Sequence, residues 1–177
     1  LALGAAATPL MTRYLEKKSL LMILMSAVAL LSGAFYFVPS DALGLIFVMH
    51  ALIGFSLGPK SPLVFSMYAD TADYSEWKNG RRATAMIFSA AAFSQKMGGA
   101  LAGALIGWLL ASMGYLANQQ QSGESLWAIL LLNSLIPASF ALLAVWIVGW
   151  YSLDEKRVSD INHELQRDKD ALDALPQ

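Results

Sequence analysis

A lysine inside a long apolar stretch is the residue of this sequence best suited to do chemistry. Lys96 lies twelve residues after Thr84, which is about 18 Å along a helix rising about 1.5 Å per residue. It therefore sits near the midplane of a membrane. Charged groups at that depth are costly and usually face a bundle interior or a water-filled path for ions or substrates. A lysine that extends its ammonium to the interface is the alternative, and the depth disfavours it. The sequence predicts that Lys96 lines a transport cavity.

The residues around Lys96 at helical spacing are small or polar. Ser89, Gly99 and Gly103 stand seven before, three after and seven after it, and so share its helix face. Gly99, Gly103 and Gly107 also repeat at four-residue intervals. Such stripes of small residues let two membrane helices approach closely. We predict that Ser89 joins Lys96 in the cavity and that the three glycines pack against another helix.

A second lysine, Lys60, lies between Pro59 and Pro62 in another apolar stretch. The two prolines remove backbone donors and weaken the helix locally. Irregular backbone at membrane depth is tolerated only in a protein interior or beside a water-filled cavity. Lys60 is therefore a second candidate cavity residue. A simple proline kink, with Lys60 reaching the water at the membrane surface, is the competing interpretation.

A dense run of charges of both signs lies between two apolar stretches, at residues 70–82. Ion pairs within or beyond this segment could latch a gate on one side of the membrane, because charge-assisted contacts are strong and geometrically specific. A solvated loop is the alternative. The candidate gate-loop residues are Asp70, Asp73, Tyr74, Glu76, Lys78, Arg81 and Arg82.

Other kinds of site find no support in the sequence. His50 and His163 have no second histidine or carboxylate at ligand spacing, so no metal site is predicted. No glycine-rich phosphate loop and no serine with a nearby base are visible. The chain has no Cys, and its net charge of −1 gives no footprint for nucleic acid. We therefore expect neither an enzyme nor a nucleic-acid-binding protein.

The composition predicts an all-α integral membrane helix bundle. Of the 177 residues, 56% are hydrophobic and 14% are charged, against about 25% charged in soluble domains. A spanning helix needs about 20 mostly apolar residues. Residues 1–151 form the predicted transmembrane domain, and residues 152–177 a separate tail. Its four full spans are 19–38, 42–69, 84–113 and 126–151, and residues 1–11 are the end of a fifth.

The basic residues alternate from one connecting segment to the next. The twelve lysines and arginines, less Lys60 and Lys96, leave ten outside the spans. All ten lie in 12–18, 70–83 and the tail, and none in 39–41 or 114–125. Positive charge marks the cytoplasmic side. We therefore expect a multi-pass protein of the plasma membrane, in bacteria the inner membrane, with a cytoplasmic C-terminus.

The tail differs in character from the spans. Apolar residues recur among its charges at roughly helical spacing, namely Val158, Ile161, Leu165, Leu172 and Leu175. This spacing predicts an amphipathic helix. A solvated helix at the membrane face is the preferred interpretation, and a partner-binding helix is the alternative.

Residues 69–115 closely resemble the glycoside–pentoside–hexuronide:cation symporters, the melibiose-permease-like group of the major facilitator superfamily. They carry the pattern D-x-x-D-Y-x-E-W-K-x-G-x-R, followed by Lys-x-Gly-Gly and a terminal Gly-Tyr. Residues 9–18 resemble the family's loop between the eighth and ninth helices. Residues 151–165 resemble its C-terminus. The resemblance thus spans nearly the whole chain.

The resemblance implies a twelve-helix transporter that alternates access around a central site and couples a sugar or glycoside to Na⁺ or H⁺. No other cofactor is implied. This chain would run from the end of the eighth helix to the tail, with the N-terminal half as its missing partner in the lipid bilayer. Lys96 matches the family's eleventh-helix lysine, which lines the sugar and cation cavity. The charged residues of 70–82 match its gate loop.

Two other functions stay open. Two cavity lysines without a membrane-embedded acid in this chain would also suit an anionic sugar derivative, such as a hexuronide or a sulfonated sugar. Alternatively, the chain is a non-transporting membrane fragment with only an assembly or interaction role. Half of a transport pathway is not expected to transport alone. The sequence preceding Leu1 would distinguish these possibilities.

Overall fold

The computed structural model describes residues 1–173, and the last four residues of the predicted tail lie outside that range. Within it every regular element is an α-helix, as the composition predicts. The eight helices are α1 Ala2–Met11, α2 Lys17–Phe35, α3 Leu43–Leu57, α4 Lys60–Asn79, α5 Thr84–Ser112, α6 Gly123–Asn133, α7 Leu135–Gly149 and α8 Glu155–Asp173.

The second predicted span is broken where its prolines lie. α3 ends at Leu57 and α4 begins at Lys60, with Gly58 and Pro59 between them. The second proline, Pro62, falls in the first turn of α4, where its missing N–H leaves no intrahelical bond unmade. The predicted interruption of this span is therefore confirmed.

The segment predicted as a charged loop is mostly helical. α4 continues through Asn79, ten residues beyond the predicted end of the span, and only residues 80–83 form a turn. Gly80 ends the helix in the left-handed conformation, with φ 65°, and its N–H bonds to the Glu76 carbonyl. The loop assignment of 70–79 was wrong because charge marks only where a helix leaves the apolar region. Alanine, glutamate and lysine remain good helix formers there.

The fourth predicted span consists of two helices in succession, which together form one stretch long and apolar enough to cross a membrane. α6 ends at Asn133 and α7 begins at Leu135. Pro137 explains the break, because it has no N–H and its ring clashes with the carbonyl four residues earlier, that of Asn133. The Ser134 hydroxyl donates to the Leu130 carbonyl at 2.6 Å and so satisfies one exposed acceptor.

Three helical stretches are long and apolar enough to cross a membrane: Lys17–Phe35, Leu43–Asn79 and Gly123–Gly149. The predicted third span, helix α5, has 29 residues and a length of about 43 Å. It is less apolar than the other three, because Gln95 and Lys96 are adjacent and four glycines follow them. The chain is a bundle of membrane helices.

The core is built around α2. Eight residues of this helix are buried, and α7 and α3 pack on either side of it. Leu63 and Met67 of α4 and Ala141 of α7 complete the cluster. The α2 residues in this cluster are Leu20, Leu21, Leu24, Met25, Val28 and Ala29.

Two glycines allow α1 to cross the break between α3 and α4. A Cβ on Gly58 would lie 2.6 Å from the Ala5 nitrogen and 2.7 Å from the Gly4 Cα. A Cβ on Gly4 would in turn collide with the Phe55 carbonyl oxygen. These neighbours are backbone atoms and cannot rotate away, so the crossing requires glycine at both positions.

Candidate functional site

Three basic segments meet at one end of the bundle, which we call the charged end: residues 12–18, residues 70–83 and the start of the tail. The Lys17 ammonium pairs with both carboxylate oxygens of Asp70, at 2.8 and 3.0 Å. The Glu155 carboxylate accepts from the Lys17 backbone N–H at 3.4 Å. These contacts join α2, α4 and α8. The structure therefore places together the segments that the basic residues grouped on one side.

Lys18 fastens the same end to α7. Its ammonium donates to the Gly149 carbonyl at 3.0 Å and to the Tyr151 carbonyl at 2.7 Å. The last carbonyls of a helix have no intrahelical partner and carry partial negative charge, so a cation there is favourable. Lys17 and Lys18 thus connect the start of α2 to α4 and to the end of α7.

The predicted gate residues divide into two groups in the structure. Asp70 pairs with Lys17 on another helix. Arg82, in the turn after α4, pairs with residues of α4 itself, 2.6 Å from Asp73 and 3.7 Å from Glu76. The Ser75 hydroxyl holds the turn by donating to the Arg81 carbonyl at 3.1 Å. The Arg81 guanidinium forms no ion pair with any residue between 1 and 173.

The tail helix lies against α4. Val158 and Ile161 are buried together with Leu153, and Tyr74 packs onto them. The Trp77 indole N–H donates to the Glu164 carboxylate at 2.6 Å. The predicted amphipathic helix is confirmed, and its apolar side is covered by α4. Of the predicted gate residues, Tyr74 serves in this contact, with the Lys78 ammonium 5.6 Å from its ring centre.

Tyr151 joins α7 to α4 just beyond the end of the span at Gly149. Burial, followed by the nearby Asp70 carboxylate, raises the pKa of its phenol, and a hydrogen bond with Thr71 opposes the rise. The phenol therefore stays protonated and donates to the Met67 carbonyl at 3.4 Å.

The three predicted cavity residues, Lys96, Ser89 and Lys60, are all exposed on the surface of this chain. Neither lysine forms an ion pair with a residue in the described part of the chain. Helix α5 as a whole has no buried residue. The lysines therefore face space that these described helices do not fill.

The glycine stripe of α5 is equally open. A Cβ added at Gly99, Gly103 or Gly107 would meet nothing within 4 Å among the described atoms. No helix of this chain packs on the stripe, so the predicted helix contact does not occur within residues 1–173. Packing against another part of the protein stays a prediction.

An aromatic contact joins α4 to α5, and the sequence analysis did not single it out. Phe65 stacks on Phe88 with ring centres 6.1 Å apart, and Tyr68 meets Phe88 edge-on at 6.0 Å. Phe65 and Tyr68 are also in contact, at 5.9 Å. Phe65 and Tyr68 are three residues apart on α4, which predicts that they share a helix face. This spacing does not identify a partner on another helix.

Neither histidine has the surroundings of a metal ligand. The His50 Nδ1 lies 3.0 Å from the Ile46 carbonyl and its ring meets the edge of Phe35. Within residues 1–173, no group of three or more histidine, aspartate or glutamate side chains is arranged to hold a metal ion.

Comparison with known proteins assigns the chain to a family. Residues 1–155 match the family described as MFS/sugar transport protein. The chain belongs to this family. The family is one of transporters and not of enzymes, which confirms that expectation from the sequence. The resemblance to glycoside–pentoside–hexuronide symporters is confirmed as well.

Three relatives show the extent of the match. The inner membrane symporter YicJ of Escherichia coli is 33% identical over 94% of this chain and 37% of its own length. The uncharacterized 29.9 kDa protein in the crtE 3′ region of Pseudescherichia vulneris is 32% identical over 90% of this chain and 60% of its own. The glucuronide carrier protein homolog of E. coli is 30% identical over 76% and 30%.

The chain thus spans between about a third and three fifths of these relatives. No solved structure matches it. The family is one of sugar transport proteins, and these relatives are considerably longer than this chain.

Proposed function

We propose that this chain supplies the C-terminal half of a sugar:cation symporter that works by alternating access. The open face of α5 carries this proposal. In the described chain, a helix long enough to span the bilayer has no buried residue and holds an unpaired lysine halfway along it. A lysine at that depth needs either a protein partner or water, and a transport cavity between two halves provides both.

Lys96 and Lys60 lie at similar depths in this proposal. Lys96 is eight residues beyond Phe88, about 12 Å, and Lys60 is five residues from Phe65, about 7.5 Å, both away from the charged end. Because Phe65 and Phe88 are in contact, both distances are counted from the same level of the bundle. We assign both to the substrate cavity, with Ser89 on the same face of α5.

Substrate uptake tests the proposal. The complete symporter containing this chain should accumulate a labelled sugar or glycoside when one of two gradients, of Na⁺ or of H⁺, is imposed; each gradient is tested on its own. Lys96→Ala should abolish coupled uptake without lowering the amount of protein in the membrane, and Lys60→Ala should be milder. Normal coupled uptake by Lys96→Ala would refute the assignment.

We further propose that the charged end is cytoplasmic. The three basic segments share that end, and basic residues are retained on the cytoplasmic side. A cysteine replacing Gln120 should react with an impermeant maleimide in intact cells, and one replacing Asn79 should not. The experiment uses a cysteine-free background of the complete protein, to which this chain contributes no cysteine. Reversed labelling would overturn the orientation.

An anionic sugar derivative is the second candidate substrate. Lys60 stands at the start of α4, where the helix dipole is positive and the first turn contains no acidic residue. Both lysines lack an acidic partner in the described chain, so a substrate carboxylate or sulfonate could supply it. Inhibition of labelled sugar uptake by a glucuronide, compared with inhibition by the corresponding neutral glucoside, decides between an anionic and a neutral substrate. Equal inhibition by the two would exclude the anionic preference.

A further inference from the structure

The aromatic contact between α4 and α5 occupies a particular level of the bundle. Phe88 is six residues from Arg82 at the charged end, about 9 Å, and eight residues from Lys96, about 12 Å. On α4, Phe65 stands five residues from Lys60 and five from Asp70, and Tyr68 stands two residues from Asp70. The three rings therefore form an apolar layer between two charged levels.

The layer is where α5 contacts α4, and at its other end α5 contacts α6. α4 is anchored by Leu63, Met67 and Ala72, all buried, whereas α5 buries nothing in the described chain. Phe65 remains 46% exposed although it contacts both other rings. Its free side faces out of the described helices, so the ring layer can continue onto a further apolar surface.

Apolar constrictions can block ions and polar solutes by excluding water. We propose that Phe65, Tyr68 and Phe88 form an aromatic seal between the substrate cavity and the charged end. The seal keeps water at the charged end from reaching the Lys96 level while the gate is closed. This inference rests on the proposed symport function, to which it adds the barrier that makes coupling possible.

A plain structural role for the rings makes a different prediction. If they only fasten α5 to α4, their loss lowers stability but leaves the solvent access of deeper residues unchanged. If they seal the pathway, a deeper position becomes reachable from the charged end. Ala92 is suited to report this, because it stands one helical turn beyond Phe88 and is exposed.

The experiment places a cysteine at Ala92 in the complete symporter, in a cysteine-free background. Membrane vesicles exposing the charged end are treated with an impermeant maleimide, without sugar. Labelling should be slow with Phe88 present and at least about tenfold faster in Phe88→Ala, because water then enters the layer. Phe88→Leu, which keeps apolar volume, should stay slow. The matched control Trp108→Ala, an exposed aromatic residue of the same helix far from Ala92, should change nothing.

Rapid labelling with Phe88 intact, or equal rates in Phe88 and Phe88→Ala proteins, would overturn the seal. If Phe88→Ala fails to reach the membrane, Tyr68→Ala gives the same test from α4. Labelling needs no transported sugar, so it remains decisive if the uptake assay fails. A positive result should be accompanied by sugar-independent leakage of the coupling cation in Phe88→Ala vesicles.

Discussion

Helices α2 and α5 differ in how far this chain satisfies their surfaces. α2 buries eight of its 19 residues, and its neighbours α3, α4 and α7 come from the same chain. α5 is longer, with 29 residues, and buries none. Both helices are predominantly apolar, so hydropathy alone does not explain the difference. What separates them in the described chain is that other helices cover much of α2 and leave the surface of α5 open.

Under the proposed function, α2 is the scaffold and α5 is the surface that meets the substrate. α2 holds the charged end through Lys17 and Lys18 and the core through its leucines. α5 is joined to α4 at its base, through Phe88. A lysine and a stripe of glycines on an uncovered helix suit a face that meets a substrate and a second helical bundle.

Truncation of a core leucine should give the largest effect. Leu24→Ala in α2 leaves a cavity in the buried cluster and should lower the free energy of unfolding by about 3 kcal/mol. Leu101→Ala in α5, where the side chain is 63% exposed, is the matched change. Thermal denaturation of the complete protein in detergent compares the two. If Leu101→Ala is equally damaging, α5 is as deeply packed as α2 in the whole protein.

The glycine crossing should be the next most sensitive. Gly58→Ala brings a methyl group against the backbone of Gly4 and Ala5 and should cost about 2 kcal/mol of stability, since neither backbone can yield. Gly107→Ala meets open space within the chain and should be neutral or slightly stabilising. The same denaturation assay measures both. A tolerated Gly58→Ala would show that α1 and α4 do not approach as closely as described.

The glycine stripe provides a test of the uncovered face itself. Gly103→Leu finds no obstacle among the described residues, so any loss of function must come from a surface outside them. If the stripe packs on another helix, sugar uptake by the complete symporter should fall about tenfold, equivalent to about 1.4 kcal/mol. Gly44→Leu in α3, also in open space, is the control. Unchanged uptake in Gly103→Leu would remove the packing role.

The ion pairs of the charged end should show the smallest effects, and they should be unequal. Lys17→Met removes the partner of Asp70, whose side chain is 12% exposed, and should cost about 1 kcal/mol. Arg82→Gln breaks a pair in which the arginine is 52% exposed, so we expect about 0.3 kcal/mol or less. Denaturation at low and high salt measures both. A larger cost for Arg82→Gln would reverse the ranking.

Much of the fold could be predicted because a membrane restricts the options. Long apolar runs predict helices, since unpaired backbone is intolerable in lipid. The break at Pro59 followed from proline chemistry. The break at Ser134 could have followed from Pro137 in the same way, but the apolar run around it suggested one span. The predicted end of the second span lies ten residues before the end of α4, because charged residues do not end a helix, whereas the left-handed Gly80 does.

The sequence by itself determined the membrane bundle, the family and the grouping of basic segments at one end. Each follows from composition or from short local patterns that need no partner in space. Only the tertiary structure decided that Lys17 pairs with Asp70, that Tyr74 and Trp77 hold the tail, and that Phe88 meets α4. These contacts join residues up to 87 positions apart. The crossing angle and rotation of each helix set them, and side-chain periodicity along one helix leaves both undetermined.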